Sequence, residues 1–331
     1  MMIGLIRGTI ELAEHSPEWE MFAAQTIERL RDVFGRRFVE IEPIDIGLSK
    51  DKKYRAATID QQRFFLRISD ISKYEHKKNE YERMQYMNKH KIPMPRPVDF
   101  GVCDSGGSVY QLLTWCDGEV LETILPDLSE SEQYAVGIKS GEILRNIHSV
   151  PVKTSDIAVT DWNARYSSFI DESIADFHKC GVKVDGANII LNYFDDNRSV
   201  LETRPQCYMH GDYHTSNMMI SPDLELTVID WELQLFDSYG DPWKEIAMQK
   251  TSKHFSTGKI HGYFCGEPPA DYWHVLMFYR SIETISSIPW AFYKHPEFLD
   301  SLVKRTAEVL EWHDNMNNPI PTWYLKDFYV H

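Results

Sequence analysis

Apolar and polar residues alternate early in the chain and recur at helical spacing later. "FVEIEPIDIG" has the period-two pattern of a strand, which Gly47 would end. "YRAATI" and "RFFLRIS" repeat it on either side of the polar "DQQ", predicting two more strands joined by a turn. Residues 16–35 have the pattern of an amphipathic helix, with Ser16 as N-cap, Pro17 at the first helical position and Gly35 as the stop. Residues 73–90, rich in Lys and Glu, predict another helix. "KIPMPRP" must end it, because proline lacks the amide donor and constrains the residue before it. "SVYQLLTW" predicts a further strand. From Asp117-Gly118 onward the period changes. "LSESEQYAVGIKSGEILRNIHSV" predicts a long helix, opened by a capping box of Ser129 and Glu132 and carrying an apolar stripe of Tyr134, Ile138, Leu144 and Ile147. Residues beyond 160 read as mainly helical, including 297–316, with one β interruption at 206–230. No flexible linker separates the two styles.

Composition narrows the class. A length of 331 residues suits two domains or one large bilobed one, and 43% hydrophobic with 26% charged residues is ordinary for a globular core. No apolar run approaches the roughly 20 residues of a membrane span. "MMIGLIRGTIELAEH" meets acid too early for a signal peptide, so a cytoplasmic protein is expected. Cys103, Cys116, Cys180, Cys207 and Cys265 are scattered and form no CxxC pair, which points to a reducing compartment and away from a structural zinc site. A net charge of −15 argues against a nucleic-acid surface and is compatible with a cationic small-molecule substrate, as it is with any soluble acidic chain. "SKDKKYR" is a local basic exception, suited to a polyphosphate or to a solvated hairpin.

The chemistry concentrates in "RPQCYMHGDYHTSNMMISPDLELTVIDWE". Two readings compete there. His210, Asp212 and His214 alternate like metal ligands on one strand face, which, with His254 or His261, would make a metal-dependent hydrolase. Alternatively, "MMI" and "LELTVID" are the arms of a hairpin turning at "SPD". Centred near Pro222 and Asp223, such a hairpin has Asn217 at one open end facing Asp230 at the other, an amide oxygen and a carboxylate of the kind magnesium takes. Asp212 lies upstream, free to accept a proton from a hydroxyl, which is the demand of phosphoryl transfer. The first reading leaves the hairpin, Asp230 and the later Gly240-Asp241-Pro242 unexplained.

This segment resembles the catalytic region of the aminoglycoside phosphotransferase family, which includes choline kinases and shares the protein-kinase fold. The pattern H-G-D-x-x-x-x-N stands as His210-Gly211-Asp212 and Asn217. The following I-D is Ile229-Asp230, eighteen residues beyond Asp212, and G-D-P is Gly240-Asp241-Pro242. The order and spacing of three motifs make the resemblance specific, and it runs from about residue 41 to the end. "HGD" and "IDWE" point to the small-molecule branch rather than to protein kinases.

The resemblance implies an α+β, bilobed protein-kinase-like fold. Residues 1–113 would be a nucleotide-binding lobe with an antiparallel sheet and helix (1–40 an N-terminal helical extension), 114–118 a hinge, and 119–331 a larger, mainly helical catalytic lobe. Asp212 would be the catalytic base, Asn217 and Asp230 would hold Mg2+, Asp241 would brace the catalytic loop, and His210 would support it through backbone bonds. No role falls to His214. Gly47 and Ser49 would lie in the phosphate loop. Arg67 would stand where many kinases have lysine, with Glu80 as its helix partner and Glu75 or Glu82 as fallbacks. The Thr114 carbonyl and Cys116 amide would meet adenine. The implied activity is ATP- or GTP-dependent phosphorylation of a small-molecule hydroxyl by a monomer or homodimer. The acceptor would be an aminoglycoside or other antibiotic, or alternatively a metabolite such as choline, homoserine or methylthioribose. Acids at Asp156, Asp161, Asp171, Glu172, Asp176, Asp195 and Asp196 and aromatics at Trp162, Tyr166, Phe169, Trp273, Tyr279 and Trp290 are candidates for the substrate side. The opening "RGTIELAEHSPEWEMFAAQTIERLRDVFG" resembles the start of a GrpB-type nucleotidyltransferase-like protein, without that family's Gly-Ser and paired-aspartate motif.

Overall fold

A computed structural model describes residues 38–44, 51–154, 161–231, 239–247 and 252–328. The helix expected over 16–35, Gly47, Ser49 and Asp156 lie outside the described residues. The fold is α+β and divides into two compact units. Among the described residues, one comprises 38–118 with 227–231, and the other runs from Glu119 to Leu226 and resumes at Tyr239.

The first unit is built on an antiparallel sheet of five strands, β1 (Phe38–Pro43), β2 (Lys52–Thr58), β3 (Arg63–Asp70), β4 (Pro97–Cys103) and β5 (Ser108–Thr114), in the order β1-β2-β3-β5-β4. The β2–β3 turn is the polar "DQQ" segment. Gln61 adopts φ 62 there, and the Thr58 amide donates to the Gln62 carbonyl at 3.0 Å. Alternation sends Tyr54, Ala56, Phe64, Leu66, Tyr110 and Leu112 into one core with Phe38 and Ile41. Helix α1 (Tyr74–Lys89) buries Tyr81, Met84 and Met87, and Tyr81 stacks on Phe100 with ring centres 5.4 Å apart. The Gln111 side chain donates to the Lys77 carbonyl at 3.1 Å and ties α1 to the middle of β5. The helix ends at His90, just before the three prolines.

The second unit is mainly helical. After β6 (Glu119–Val120) and the short α2 (Leu121–Ile124) come α3 (Glu130–His148), α4 (Trp162–Cys180) and α5 (Ala187–Asn197). Then follow β7 (Cys207–Tyr208), β8 (Met218–Ile220), β9 (Leu226–Val228), where the chain passes between the units, and β10 (Tyr239–Gly240). The chain closes with α6 (Pro242–Ala247), α7 (Lys253–Phe264), α8 (Tyr272–Lys294) and α9 (Leu299–Trp312). Both halves of the Ser129–Glu132 capping box form. Of the predicted stripe on α3, Tyr134, Leu144 and Ile147 are buried and Ile138 is half-buried. α3 packs on α7 at backbone contact, and α8 is the buried centre around which α4 and α9 pack.

Two expectations need correction. The last helix stops at Trp312 rather than 316, because Asp314, Asn315 and Met316 all have positive φ. The turn expected at "SPD" does form, centred on Asp223: the Ser221 amide donates to the Glu225 carbonyl at 3.0 Å, and Leu224 at φ 58 completes a three-residue loop. Residues 206–230 are also not a closed β interruption, since Tyr239 and Gly240 pair with Tyr208 and Cys207. Among the described residues no helix is long and apolar enough to cross a membrane.

Candidate active site

In the helical unit, β7 delivers the chain into the loop Met209–Asn217. Tyr208, Met209, His210 and Tyr213 are fully buried, so the loop rests on the core, and the Tyr213 hydroxyl donates to the Ser140 carbonyl at 2.7 Å. Gly211 takes φ 97, a conformation that a Cβ would strain. The His210 ring accepts the Asp212 amide through Nδ1 at 3.3 Å. Two further loop amides, those of His210 and Gly211, donate to the Glu245 carboxylate of α6, the first at 2.9 Å. Glu245 is fully buried, bonds the His148 Nε2 at 2.9 Å, and His148 in turn meets the Tyr263 hydroxyl at 3.0 Å. Burial alone would raise the Glu245 pKa. The His148 bond and charge, His210 and the loop amide outweigh it and hold the carboxyl below its ordinary value.

Asp212 lies in this framework with 41% of its side chain exposed, enough to meet an acceptor. Its Oδ2 receives the Asn217 side-chain nitrogen at 2.9 Å and faces His214 Nε2 at 3.0 Å, while the same Asn217 nitrogen reaches the Asp212 carbonyl at 3.0 Å. Desolvation would raise the Asp212 pKa, but the His214 bond and charge, His210 and the Asn217 bond lower it, so the group is an anion at neutral pH. Because Asn217 donates through nitrogen, its Oδ1 is the amide atom left for a cation.

Asp241 does not bond the catalytic loop itself. Its fully buried carboxylate is held by Arg204 through Nε at 2.6 Å and Nη2 at 3.0 Å, by the Tyr279 hydroxyl at 2.7 Å and by the Trp243 amide at 3.0 Å. Trp162 donates to Tyr279 at 2.8 Å, and Arg204 stacks over Trp243 at 4.1 Å. Asp241 thus fixes β10 and the start of α6, and the loop is braced four residues later by Glu245. A carboxylate in a short helix gave no sequence signal for that role.

In the sheet unit, Arg67 lies between Lys53 and Gln111 in the register of β2, β3 and β5. Its Nη2 donates to Asp230 Oδ1 at 2.9 Å, and Nη1 approaches Glu80 Oε1 at 3.4 Å. Glu80 is buried and also bonds Lys77 Nζ at 2.8 Å; Glu75 and Glu82, the fallback partners, are exposed. Asp51 receives Lys73 at 2.7 Å and Lys77 at 3.4 Å. Asp230 adopts φ 56 with its side chain 40% exposed. The Arg67 Nε is buried without a hydrogen-bond partner, a donor that a phosphate oxygen would satisfy. The Thr114 amide is taken by the Arg96 carbonyl at 2.9 Å, and burial pushes the Cys116 thiol up to about 11.

Among the described residues no group of three or more His, Cys, Asp or Glu side chains is arranged to hold a metal ion, and His210 uses Nδ1 on its own loop's backbone. The His210-Asp212-His214 alternation is therefore a loop scaffold here. The other substrate-side candidates also find ordinary roles. Asp161 caps α4 by accepting the Ala164 amide at 2.8 Å, Asp171 pairs with Arg198 at 2.7 Å, and Asp176, Asp195 and Asp196 are exposed. Trp162, Tyr166, Trp273 and Tyr279 are core, whereas Phe169 and Trp290 are half-buried.

Residues 40–273 match the family described as the phosphotransferase enzyme family. No match was found among curated protein sequences. Among solved structures, a choline/ethanolamine kinase family protein from Mesorhizobium loti is similar, with TM-score 0.62 and 15% identity over 91% of this chain and 97% of that one. An ADP-bound aminoglycoside phosphotransferase, APH(2'')-Ib, aligns with TM-score 0.60 and 16% identity over 86% and 98% of the two chains. An amicoumacin kinase in complex with AMP-PNP and Ca2+ aligns with TM-score 0.53 and 13% identity over 93% and 96%. The fold is thus the protein-kinase-like one, and with the family matched across most of its length the chain belongs to the phosphotransferase enzyme family and is a small-molecule phosphotransferase.

Proposed function

We propose that the protein is a nucleotide-dependent kinase that moves the γ-phosphate of ATP or GTP to a hydroxyl of a small molecule. The observation that carries this reading is the Asp212 carboxylate, ionised, part-exposed and held through one oxygen by Asn217 and His214 inside a loop of the H-G-D-x-x-x-x-N pattern. Asp212 accepts the proton of the acceptor hydroxyl as its oxygen attacks the γ-phosphorus. The bond to the β-phosphate oxygen breaks and the nucleoside diphosphate leaves. Arg67, braced by Glu80 and carrying an unpaired Nε–H, fits a nucleotide phosphate. Asn217 and Asp230 would hold magnesium, which supplies neutralisation of phosphate charge. Gly47 and Ser49 would cradle phosphate, and the Thr114 carbonyl and Cys116 amide would meet the base. The ADP and AMP-PNP held by two similar structures support nucleotide use.

An amine-bearing antibiotic, such as an aminoglycoside, is the first acceptor class to test, in keeping with the net charge of −15 and with the aminoglycoside phosphotransferases among similar structures. A metabolite acceptor is the second reading, favoured by the choline/ethanolamine kinase family neighbour. A nucleotide-consumption screen over aminoglycosides, macrolides, choline, homoserine and methylthioribose separates them. The expected result is diphosphate release that depends on one acceptor class and on magnesium or manganese. Silence with every acceptor while nucleotide still binds would contradict the kinase reading. Full activity after chelation, or stoichiometric zinc in the purified protein, would favour a hydrolase.

A further inference from the structure

The loop histidine to which the motif gives no role stands against the proposed base. His214 Nε2 lies 3.0 Å from Asp212 Oδ2, and the Asn217 side-chain nitrogen reaches the same oxygen at 2.9 Å. The two nitrogens are 3.3 Å apart. Two N–H donors tolerate that approach when a shared anionic oxygen accepts from both. The opposite tautomer would aim the Nε2 lone pair at a carboxylate. It would also place an N–H on Nδ1, which is buried and has no hydrogen-bond partner. An orphaned buried donor is costlier and rarer than an orphaned acceptor, so the surroundings select Nε2–H.

Among the described residues no donor reaches Asp212 Oδ1. One carboxylate oxygen is therefore occupied twice and the other is left to the acceptor hydroxyl. Asn217 gives one of its two N–H groups to Oδ2 and the other to the Asp212 carbonyl at 3.0 Å, so the second donor on Oδ2 comes from His214. We infer that His214 is a positioning residue that, through Nε2–H, locks the Asp212 carboxylate with Oδ1 turned toward the acceptor; this rests on the reading of Asp212 as base. Without that bond the carboxylate rotates about its last torsion, and both oxygens share the position that only Oδ1 should fill.

Two measurements test it. In protein labelled with 15N-histidine, at a pH where the ring is neutral, a long-range correlation spectrum should show His214 as the Nε2–H tautomer. The Nδ1–H tautomer would overturn the inference. In kinetics with magnesium-ATP, using water as acceptor alongside the acceptor returned by the screen, His214→Leu should lower kcat on the order of 10- to 100-fold, the scale of a misplaced reacting group, with the KM for ATP unchanged. His214→Gln, which restores an N–H at similar reach, should recover most of that loss, and both variants should keep the wild-type Tm. Wild-type kcat in His214→Leu, or an equal loss in the leucine and glutamine variants, would refute positioning by this bond. Asp212→Asn is assayed in parallel: if it stays active, the base reading fails, whereas if it is inactive and His214→Leu is unimpaired, only the present inference fails.

Discussion

Two amides of the loop, His210 and Gly211, converge on the buried Glu245 carboxylate, which His148 meets from α3 at 2.9 Å. Removing the acid would leave the His210 and Gly211 amides and His148 Nε2 without their shared partner. Glu245→Ala should therefore destabilise the protein by about 3–5 kcal/mol, the cost of breaking a buried pair from one side, measurable by urea unfolding. Its pH dependence has a definite sign. The folded pKa lies below the ordinary value of 4.5, so the stabilisation is fully present above about that pH and is lost as pH falls through the lower folded value. Wild type and Glu245→Gln should converge in stability toward acid pH, and a gap that widens on acidification would contradict the assignment. At this scale legibility follows distance along the chain. Asp212 and Asn217 lie five residues apart in one loop, so their meeting could be read from spacing. Glu245 lies 34 residues beyond Gly211, in a stretch, "PWKEIA", where a glutamate looks like solvated helix charge. Asp241 was given the brace for the same reason: only the packing of α6 decides which of two acids four residues apart faces the loop.

Among the elements, α3 and α7 pack more closely than ordinary side chains allow. A Cβ on Gly141 would lie 2.1 Å from the Lys259 carbonyl, one on Gly258 2.2 Å from the Tyr134 carbonyl, and one on Gly262 2.1 Å from the Ile138 carbonyl. In each case the obstacle is backbone, which cannot swing aside. Gly141→Ala and Gly258→Ala should each cost about 1–3 kcal/mol or more, as overpacking does, even though alanine is the better helix former. Thermal unfolding checks this, and a rise in Tm in either variant would show that the helices can part without penalty. α3 also shows what periodicity reads and what it misses. Its apolar stripe and capping box were legible because both are local. The face formed by Gly137 and Gly141 was not, since a glycine carries no hydrophobic signal and its meaning lies in a helix more than a hundred residues away. The hairpin after the loop was legible both as an element and in the place of its turn, but the left-handed conformation of Leu224 was not, since a leucine does not advertise it.

For the whole molecule, the family match over residues 40–273 and structures at 13–16% identity show a fold that outlasts its sequence. The class of reaction was legible because His210-Gly211-Asp212, Asn217, Ile229-Asp230 and Gly240-Asp241-Pro242 stand in the order and spacing of the family's motifs. The acceptor was not, because the fold hosts different substrates and the acids considered for its recognition serve as caps, ion pairs and solvated faces. The central claim is that Asp212 is the base. It is tested most directly by Asp212→Asn, with turnover and ATP binding measured on the same preparation and an acceptor confirmed by the screen. The carboxamide keeps the size of the side chain but cannot take a proton. Turnover should fall on the order of 10²- to 10⁴-fold, the usual worth of a general base, with ATP affinity and Tm near those of the wild type. Wild-type turnover in Asp212→Asn would contradict the account.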